Sequence, residues 1–305
     1  MSNSSKLIVV AGAAGKLGRL VVESLLTHSG VRVRALVRDP KKPEAAALAA
    51  RGAELVAVDV ATATDAARAE AVRGAFAVVS TLQGGPDVII DGQLALLRAA
   101  KAAGARRFIP SDYSYNVFTL PAGINPNSDW RRTLAERARA EVTPSFEVVH
   151  VLQGIFTDAY VLGFLGAFDR ERRVVRYWGD GTTPIDWTTW EDTARYTAAA
   201  AVDERPVPAQ LFVSGDRMDI LTFAKSWEAA RGETLTVERL GSLADLEAEI
   251  QRRLAAEPHN MFAWLPLMYN RGMFGGQALL GPSENGRYPE IVPETVAQAA
   301  ARGAV

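Results

Sequence analysis

The chain has 305 residues, 48% of them apolar and 23% charged, which is enough for an ample core under an ordinary solvated surface. A formal net charge of −1 gives no general field for nucleic acid. The lack of cysteine excludes disulfides and thiolate chemistry, and His28, His150 and His259 are too scattered for a zinc motif, so no metal is expected. The polar start MSNSSK carries no apolar signal core and no stretch of about 18 apolar residues follows it, so a cytoplasmic chain without a membrane segment is expected.

Leu7 to Ala11 reads as a buried strand, and Leu17 to Leu26 carries apolar residues at helical spacing. Between them runs Gly12-Ala13-Ala14-Gly15-Lys16-Leu17-Gly18. Side-chain-free positions at a strand-to-helix turn let the backbone pass tightly and let an anion approach the helix N-terminus. A Walker loop needs Ser or Thr after Gly15-Lys16, and Leu17 stands there instead. The run is a Gly-x-x-Gly-x-x-Gly variant of the dinucleotide fingerprint; a tight turn with no ligand is the other reading at this point.

The alternation continues down the chain. Val31 to Val37 reads as a strand, PEAAALAARG as a helix closed by Gly52, ELVAVDV as a strand and Ala63 to Val72 as a helix. AFAVVSTL is a strand, Asp87 to Ala103 one long amphipathic helix stopped by Gly104, RRFIP a fifth strand, Ser128 to Val142 a helix and Phe146 to Leu152 a sixth strand. Strands alternating with helices require parallel pairing through right-handed crossovers, which gives an α/β, Rossmann-type doubly wound sheet. Residues 1–154 are expected to form the nucleotide-binding domain. Residues 155–305 are expected to form a smaller, mixed α/β substrate-binding region interleaved with the last sheet strands, with a helix capped near Thr189, a strand at TLTVERL and a helix from Leu243 to about Ala256.

Ligands on such sheets bind beyond the carboxyl ends of the strands, here Gly12 to Gly18, Arg38, Asp59, Thr81 to Gly85, Ser111 to Tyr115 and Gln153 to Phe156. An acidic residue at the end of the second strand holds free ribose hydroxyls, whereas an arginine accommodates a 2′-phosphate. The strand ends ALVRDP, so Arg38, with Lys16, Lys41 and Lys42 near it in sequence, favours NADP(H); a solvated arginine at a helix entry is the bland alternative. Phe156, Tyr160 and Phe164 are spaced by four and would share one helical face. The segment from Asn260 to Gly276, with Met261 and Trp264, is rich in methionine and aromatics and reads equally as core, subunit contact or an apolar substrate wall.

GAAGKLG, LVRDP, VVSTLQG, RRFIPSDYS, LQGIFTDAY and TTWEDTARYTAAAA resemble the NmrA-like and isoflavone-reductase-like branch of the atypical short-chain dehydrogenases/reductases, over most of the chain and most strongly to about residue 200. The resemblance implies that Asp59 lies by the adenine and that Thr81, Leu82 and Gln83 line the pyrophosphate and ribose path. It further implies that Pro110 and Ser111 approach the nicotinamide and that Phe156 helps enclose it.

Reduction of a carbonyl or activated alkene needs a hydride donor, a slot beside the nicotinamide and usually a proton donor. The Tyr-x-x-x-Lys pair of short-chain dehydrogenases has no counterpart, because Val117 stands four places after Tyr113 and Thr119 four places after Tyr115. The resembling branch uses a lysine on the helix after the fifth strand, yet there is no lysine between Lys101 and Lys225. Arg131, Arg132 and Arg137 stand on that helix, able to orient an oxyanion or ribose but poor as acids. Tyr113 is the candidate catalytic residue, with simple packing as its other reading; His150 reads as a buried core histidine and Asp192 as a helix cap. Two functions stay open. One is an NADPH-dependent reductase of a small aromatic or polyketide-like metabolite, its substrate touching Tyr113, Phe156, Tyr160, Phe164, Met261 and Trp264. The other is a non-catalytic NADP(H) sensor that binds a partner protein. A monomer or homodimer is expected.

Overall fold

The computed structural model describes residues 5–305; the first four residues of the polar start lie outside the described residues. Two compact units make up the chain. The first comprises the segments through Tyr113, Trp130–Val151 and Thr193–Leu211, the second Ser114–Asp129, Leu152–Asp192 and Phe212–Val305. Where the sequence suggests one boundary at 154, the chain thus passes from one unit to the other several times.

The first unit is built on a six-stranded parallel sheet in the order β3-β2-β1-β4-β5-β6. Its strands are β1 (Lys6–Ala11), β2 (Val31–Val37), β3 (Glu54–Ala57), β4 (Ala77–Ser80), β5 (Arg107–Ile109) and β6 (Glu147–Val148). The helices α1 (Lys16–Leu26), α2 (Pro43–Ala50), α3 (Asp65–Ala71), α4 (Gln93–Ala102) and α5 (Pro126–Arg139) follow successive strands. The order reverses beside β1, where β2 and β4 both pair with it in parallel register. At β1 and β4 the runs LIVVA and AVVS are buried at every position, as strands covered on both faces require.

Two elements differ from their sequence reading. The helix expected over 87–103 opens with a π turn, Asp87–Gly92, before α4 begins. There Gly92 comes so close to Ala61 that a Cβ would stand 3.2 Å from its Cα. The strand expected over 146–152 divides into β6 and β7 (His150–Leu152). Successive N–H groups of an extended chain point to opposite sides. The Val149 N–H donates to Phe108 O on the sheet side, while the His150 N–H donates to Ala209 O, next to β12 (Gln210–Phe212).

The first unit also holds Arg107, fully buried, whose Nε donates to Glu147 Oε2 at 2.9 Å and whose other nitrogens donate to the carbonyls of Ala200, Asp203 and Arg205. One guanidinium thereby joins the sheet to the C-terminal end of α7 (Trp190–Val202).

The second unit contains β8 (Ile155–Phe156), α6 (Ala159–Phe164), β9 (Phe168–Asp169), β10 (Val174–Trp178), β11 (Ile185–Thr188), β13 (Asp216–Met218), α8 (Ile220–Arg231), β14 (Thr236–Gly241), α9 (Leu243–Ala256), α10 (Met261–Phe274) and α11 (Val296–Ala301). Two three-stranded sheets, β14-β10-β9 and β13-β11-β8, flank an aromatic core in which Phe168, Trp187, Phe223 and Trp227 meet ring to ring. The helix α9 starts at a capping box between Ser242 and Asp245. No helix among the described residues is long and apolar enough to cross a membrane.

Candidate functional site

The glycine turn joins β1 to α1, and its three glycines answer different needs. Gly12 has φ +76°, and a Cβ there would stand 3.0 Å from the Thr81 backbone. At Gly18 a Cβ would lie 2.3 Å from Gly12 O and 2.8 Å from Ala13 Cα, so this glycine lets α1 pack against its own turn. Gly15 is exposed, and a Cβ there would meet only Gly12 O, at 3.2 Å; the space beyond it is open. Gly15 is also the N-cap of the 11-residue α1, with no side-chain cap bond and no acidic residue in the first turn. The N–H groups and positive dipole end of α1 are thus left for an anion. Lys16 is exposed beside them, Ala14 half-buried and Leu17 turned into the core. Thr81 fastens the end of β4 to this turn, its hydroxyl donating to Ala11 O at 2.9 Å or Gly12 O at 3.1 Å.

Arg38 is the first residue after β2 and is exposed; among the described residues it has no ion-pair partner. The carboxylate of Asp39 instead accepts from the Lys41 N–H at 2.9 Å. Asp59, past β3, is exposed and accepts from the Ala61 N–H at 3.0 Å, and Gln83 is exposed past the end of β4.

At the end of β5 the chain turns through buried Pro110 into Ser111, whose polar groups are engaged on every side. Its N–H donates to Gln93 Oε1 at 2.9 Å, its hydroxyl donates to Leu82 O at 2.7 Å, and its carbonyl accepts from Arg131 Nε at 3.1 Å. Gln93, the first residue of α4, is fully buried and reaches Ser111 directly after the π turn. Next comes Asp112, fully buried, with Oδ2 2.5 Å from His150 Nδ1 and with Oδ1 outside any hydrogen bond. The core histidine of the sequence reading is thus one that hydrogen-bonds a buried carboxylate. The Tyr113 hydroxyl is sealed in beside Thr197 without a hydrogen bond of good geometry, the Thr197 hydroxyl donating to Thr193 O. Burial pushes the phenol up from its ordinary range, Thr197 offsets part of this, and the charge of Asp112 adds to it.

In the second unit Phe156 lies in β8, not on a helix, so it does not share a helical face with Tyr160 and Phe164. It stacks on Trp190, with ring centroids 3.6 Å apart and planes 11° from parallel. The chain reaches it through Gly154 at φ +81°, where a Cβ would stand 2.2 Å from Asp186 O, and β8 then pairs with β11. Tyr160 is 82% exposed, and Phe164 meets Phe262 edge to face at 6.5 Å. Trp264 is buried in the core of this unit and Met261 packs against it, which is the core reading of that segment. Asp192 accepts from the hydroxyl of Thr189 and from the Glu294 N–H, a bracing role.

Sequence reasoning misses Gln93 and Trp190, and it places Asp112 in the strand-end segment 111–115 without its partner His150. Gln93 and Asp112 are polar residues whose partners are distant in the chain, and Trp190 stands only within the run TTWEDTARYTAAAA. Among the described residues no group of three or more histidine, aspartate or glutamate side chains is placed to hold a metal ion.

The NmrA-like family model matches residues 4–270. The chain belongs to the NmrA-like family. This NmrA-like chain is 28% identical over 247 residues to the isoflavone reductase homologue A622 of Nicotiana tabacum, covering 77% of each, and 26% identical over 226 residues to the asnovolin J 5′,6′-dehydrogenase nvfM of Aspergillus novofumigatus, covering 68% of this chain and 63% of that one. Among solved structures, an isoflavone reductase superposes with a TM-score of 0.80 at 19% identity, covering 98% of this chain and 99% of that one. The leucoanthocyanidin reductase–NADPH complex of Vitis vinifera superposes with 0.77 at 22% identity, covering 97% and 98%. These likenesses show that the fold is that of the Rossmann-type reductases.

Proposed function

We propose that the protein is an NADPH-dependent reductase acting on a carbonyl or activated alkene of a small aromatic or polyketide-like metabolite. The observation that carries this reading is the pairing of an uncapped α1 N-terminus at exposed Gly15 with a solvent-facing Arg38 at the end of the neighbouring strand, because a pyrophosphate and a 2′-phosphate need those two features. The relative from Nicotiana tabacum and the Vitis vinifera structure carry reductase names, and the latter holds NADPH. In this reading Gly12, Ala14, Gly15, Lys16, Leu17 and Gly18 cradle the pyrophosphate, Arg38 takes the 2′-phosphate, and Asp59, Thr81, Leu82 and Gln83 follow the adenosine and ribose. Pro110 and Ser111 meet the nicotinamide.

NADPH, when bound, supplies the hydride. Ser111 then orients and does not protonate, since its hydroxyl proton is directed to Leu82 O. Tyr113 is not the acid, because its hydroxyl is buried and burial favours the neutral phenol. The Phe156–Trp190 stack offers the second unit's flat apolar surface for an aromatic ring.

The sealed Tyr113 hydroxyl and the missing lysine favour one competing reading, an NADP(H) sensor without turnover. Cofactor titration combined with NADPH oxidation against quinones, aromatic ketones and enones separates the two. The reductase reading predicts turnover in at least one class; tight cofactor binding with none turned over would establish the sensor.

A further inference from the structure

The loop that leaves β4 is exposed at Gln83 and Gly84, and Thr81 fastens it to the glycine turn. Its inner side is held by a chain of hydrogen bonds. The Leu82 carbonyl accepts from the Ser111 hydroxyl at 2.7 Å, and the Ser111 N–H donates to Gln93 Oε1 at 2.9 Å. Gln93 Nε2 donates in turn to Ile89 O, 3.0 Å away on the π turn. The backbone N–H of Gln93 is directed to Val88 O and Ile90 O, so the same residue closes that turn. The π turn meets the loop again at Gly84, where a Cβ would stand 2.6 Å from Val88 Cγ2. Gln93 is fully buried, and each end of its amide is committed. A peptide N–H can only donate and a carbonyl only accept, so the amide fits in one orientation. No other neutral-pH side chain of that length offers both an acceptor and a donor.

We infer that Gln93 is a positioning residue of the dinucleotide site, which acts through Ser111 to fix the Leu82 carbonyl and with it the exposed loop at Leu82 and Gln83. This rests on the reading of these strand ends as the site of NADP(H). Gln93 itself needs no contact with the cofactor. Its amide holds the Ser111 peptide, the Ser111 hydroxyl holds Leu82, and the loop then stands ready along the path of the adenosine and ribose. A loop without that brace must be ordered at the moment of binding, and the lost freedom is subtracted from affinity.

The test is calorimetric titration with NADP⁺ on the full chain, well below the melting temperature of each variant. Gln93→Met fills the space without either bond and should weaken NADP⁺ about tenfold, the scale of a lost hydrogen bond. Ser111→Ala should weaken it by a like amount, and the double variant should bind no more weakly than either single one, since both cut one path. Gln93→Glu adds a readout in pH. Its protonated carboxyl supplies an acceptor for the Ser111 N–H and a donor for Ile89 O, whereas its carboxylate has no donor. Burial raises that carboxyl above its ordinary value of ~4.3. Affinity in Gln93→Glu should therefore match the wild type in acid and fall about tenfold below it as pH rises, with the wild type titrated alongside as reference. This course in pH also serves if Gln93→Met does not fold. A side chain that only stabilises the fold would lower the melting temperature and leave these affinities unmoved. Wild-type affinity in Gln93→Met, a flat pH ratio in Gln93→Glu or additive losses in the double variant overturns the role of Gln93 and leaves the cofactor site standing. A wild type that binds no NADP⁺ overturns the reading of the strand ends as a dinucleotide site.

Discussion

Tyr113, the candidate acid of the sequence, has its hydroxyl sealed in the first unit. Its hydroxyl is buried beside Thr197 with no well-formed hydrogen bond, and a buried hydroxyl lacking one costs about 1–3 kcal/mol. Tyr113→Phe should therefore leave the melting temperature unchanged or raised, and should cost no more than about tenfold in kcat, below the 10²–10⁴-fold typical of a lost general acid. A thousandfold loss of kcat with the cofactor still bound would make Tyr113 the acid. The same residue predicts a pH effect. In the unfolded chain a tyrosine loses its proton near pH ~10, whereas burial keeps Tyr113 protonated in the fold beyond that. Above about pH 10 the folded state then binds the extra proton, so this residue's contribution to stability is full below that pH and is lost as pH rises. Thermal melts across that alkaline range should fall less steeply for Tyr113→Phe than for the wild type; parallel curves would contradict the buried, protonated phenol.

At the scale of elements, the glycines of the β1–α1 turn differ in what surrounds them: Gly18 is hemmed in by backbone, whereas Gly15 is exposed. A Cβ at Gly18 would stand 2.3 Å from Gly12 O and 2.8 Å from Ala13 Cα, both backbone atoms that cannot swing aside. Gly18→Ala should thus destabilise the protein by about 1–3 kcal/mol, the usual cost of overpacking, and weaken dinucleotide binding with it. A Cβ at Gly15 would meet only Gly12 O, at 3.2 Å, so Gly15→Val should lower the melting temperature less than Gly18→Ala does while abolishing cofactor binding. Unchanged cofactor titration in Gly15→Val would show that the turn serves packing alone. The glycine spacing, the strand–helix alternation and Arg38 are all legible in the sequence because each depends on neighbours within one strand–turn–helix unit. The contacts that organise Ser111 are not. Gln93 lies 18 residues before it and Arg131 20 residues after it, and His150 stands 38 residues beyond Asp112. No periodicity reveals such pairs. The π turn at Asp87–Gly92 is hidden in the same way, since its residues continue a helical pattern and only the approach of Gly92 to Ala61 marks it.

At the scale of the molecule, the carboxyl ends of the six-stranded parallel sheet carry the glycine turn, Arg38, Asp59, Thr81 and Ser111. The Rossmann class is legible from alternation alone, but the division into units is not: the chain passes back and forth between them, and sequence order hides segments such as Ser114–Asp129 and Thr193–Leu211. The arrangement of Phe156 is likewise hidden, since a spacing of four suggests a helix where the chain instead forms β8 and stacks the ring on Trp190. In the proposed site this sheet binds a nicotinamide dinucleotide phosphate through α1 and Arg38, which fluorescence titration of wild type and Arg38→Asp with NADPH and NADH would decide. A hydrogen bond to a charged group contributes about 1.5–3 kcal/mol, so NADPH should bind the wild type more tightly than NADH, and Arg38→Asp should weaken NADPH by about ten- to a hundredfold while leaving NADH nearly unchanged. Equal affinities of the wild type for the two nucleotides would show that Arg38 does not hold a 2′-phosphate.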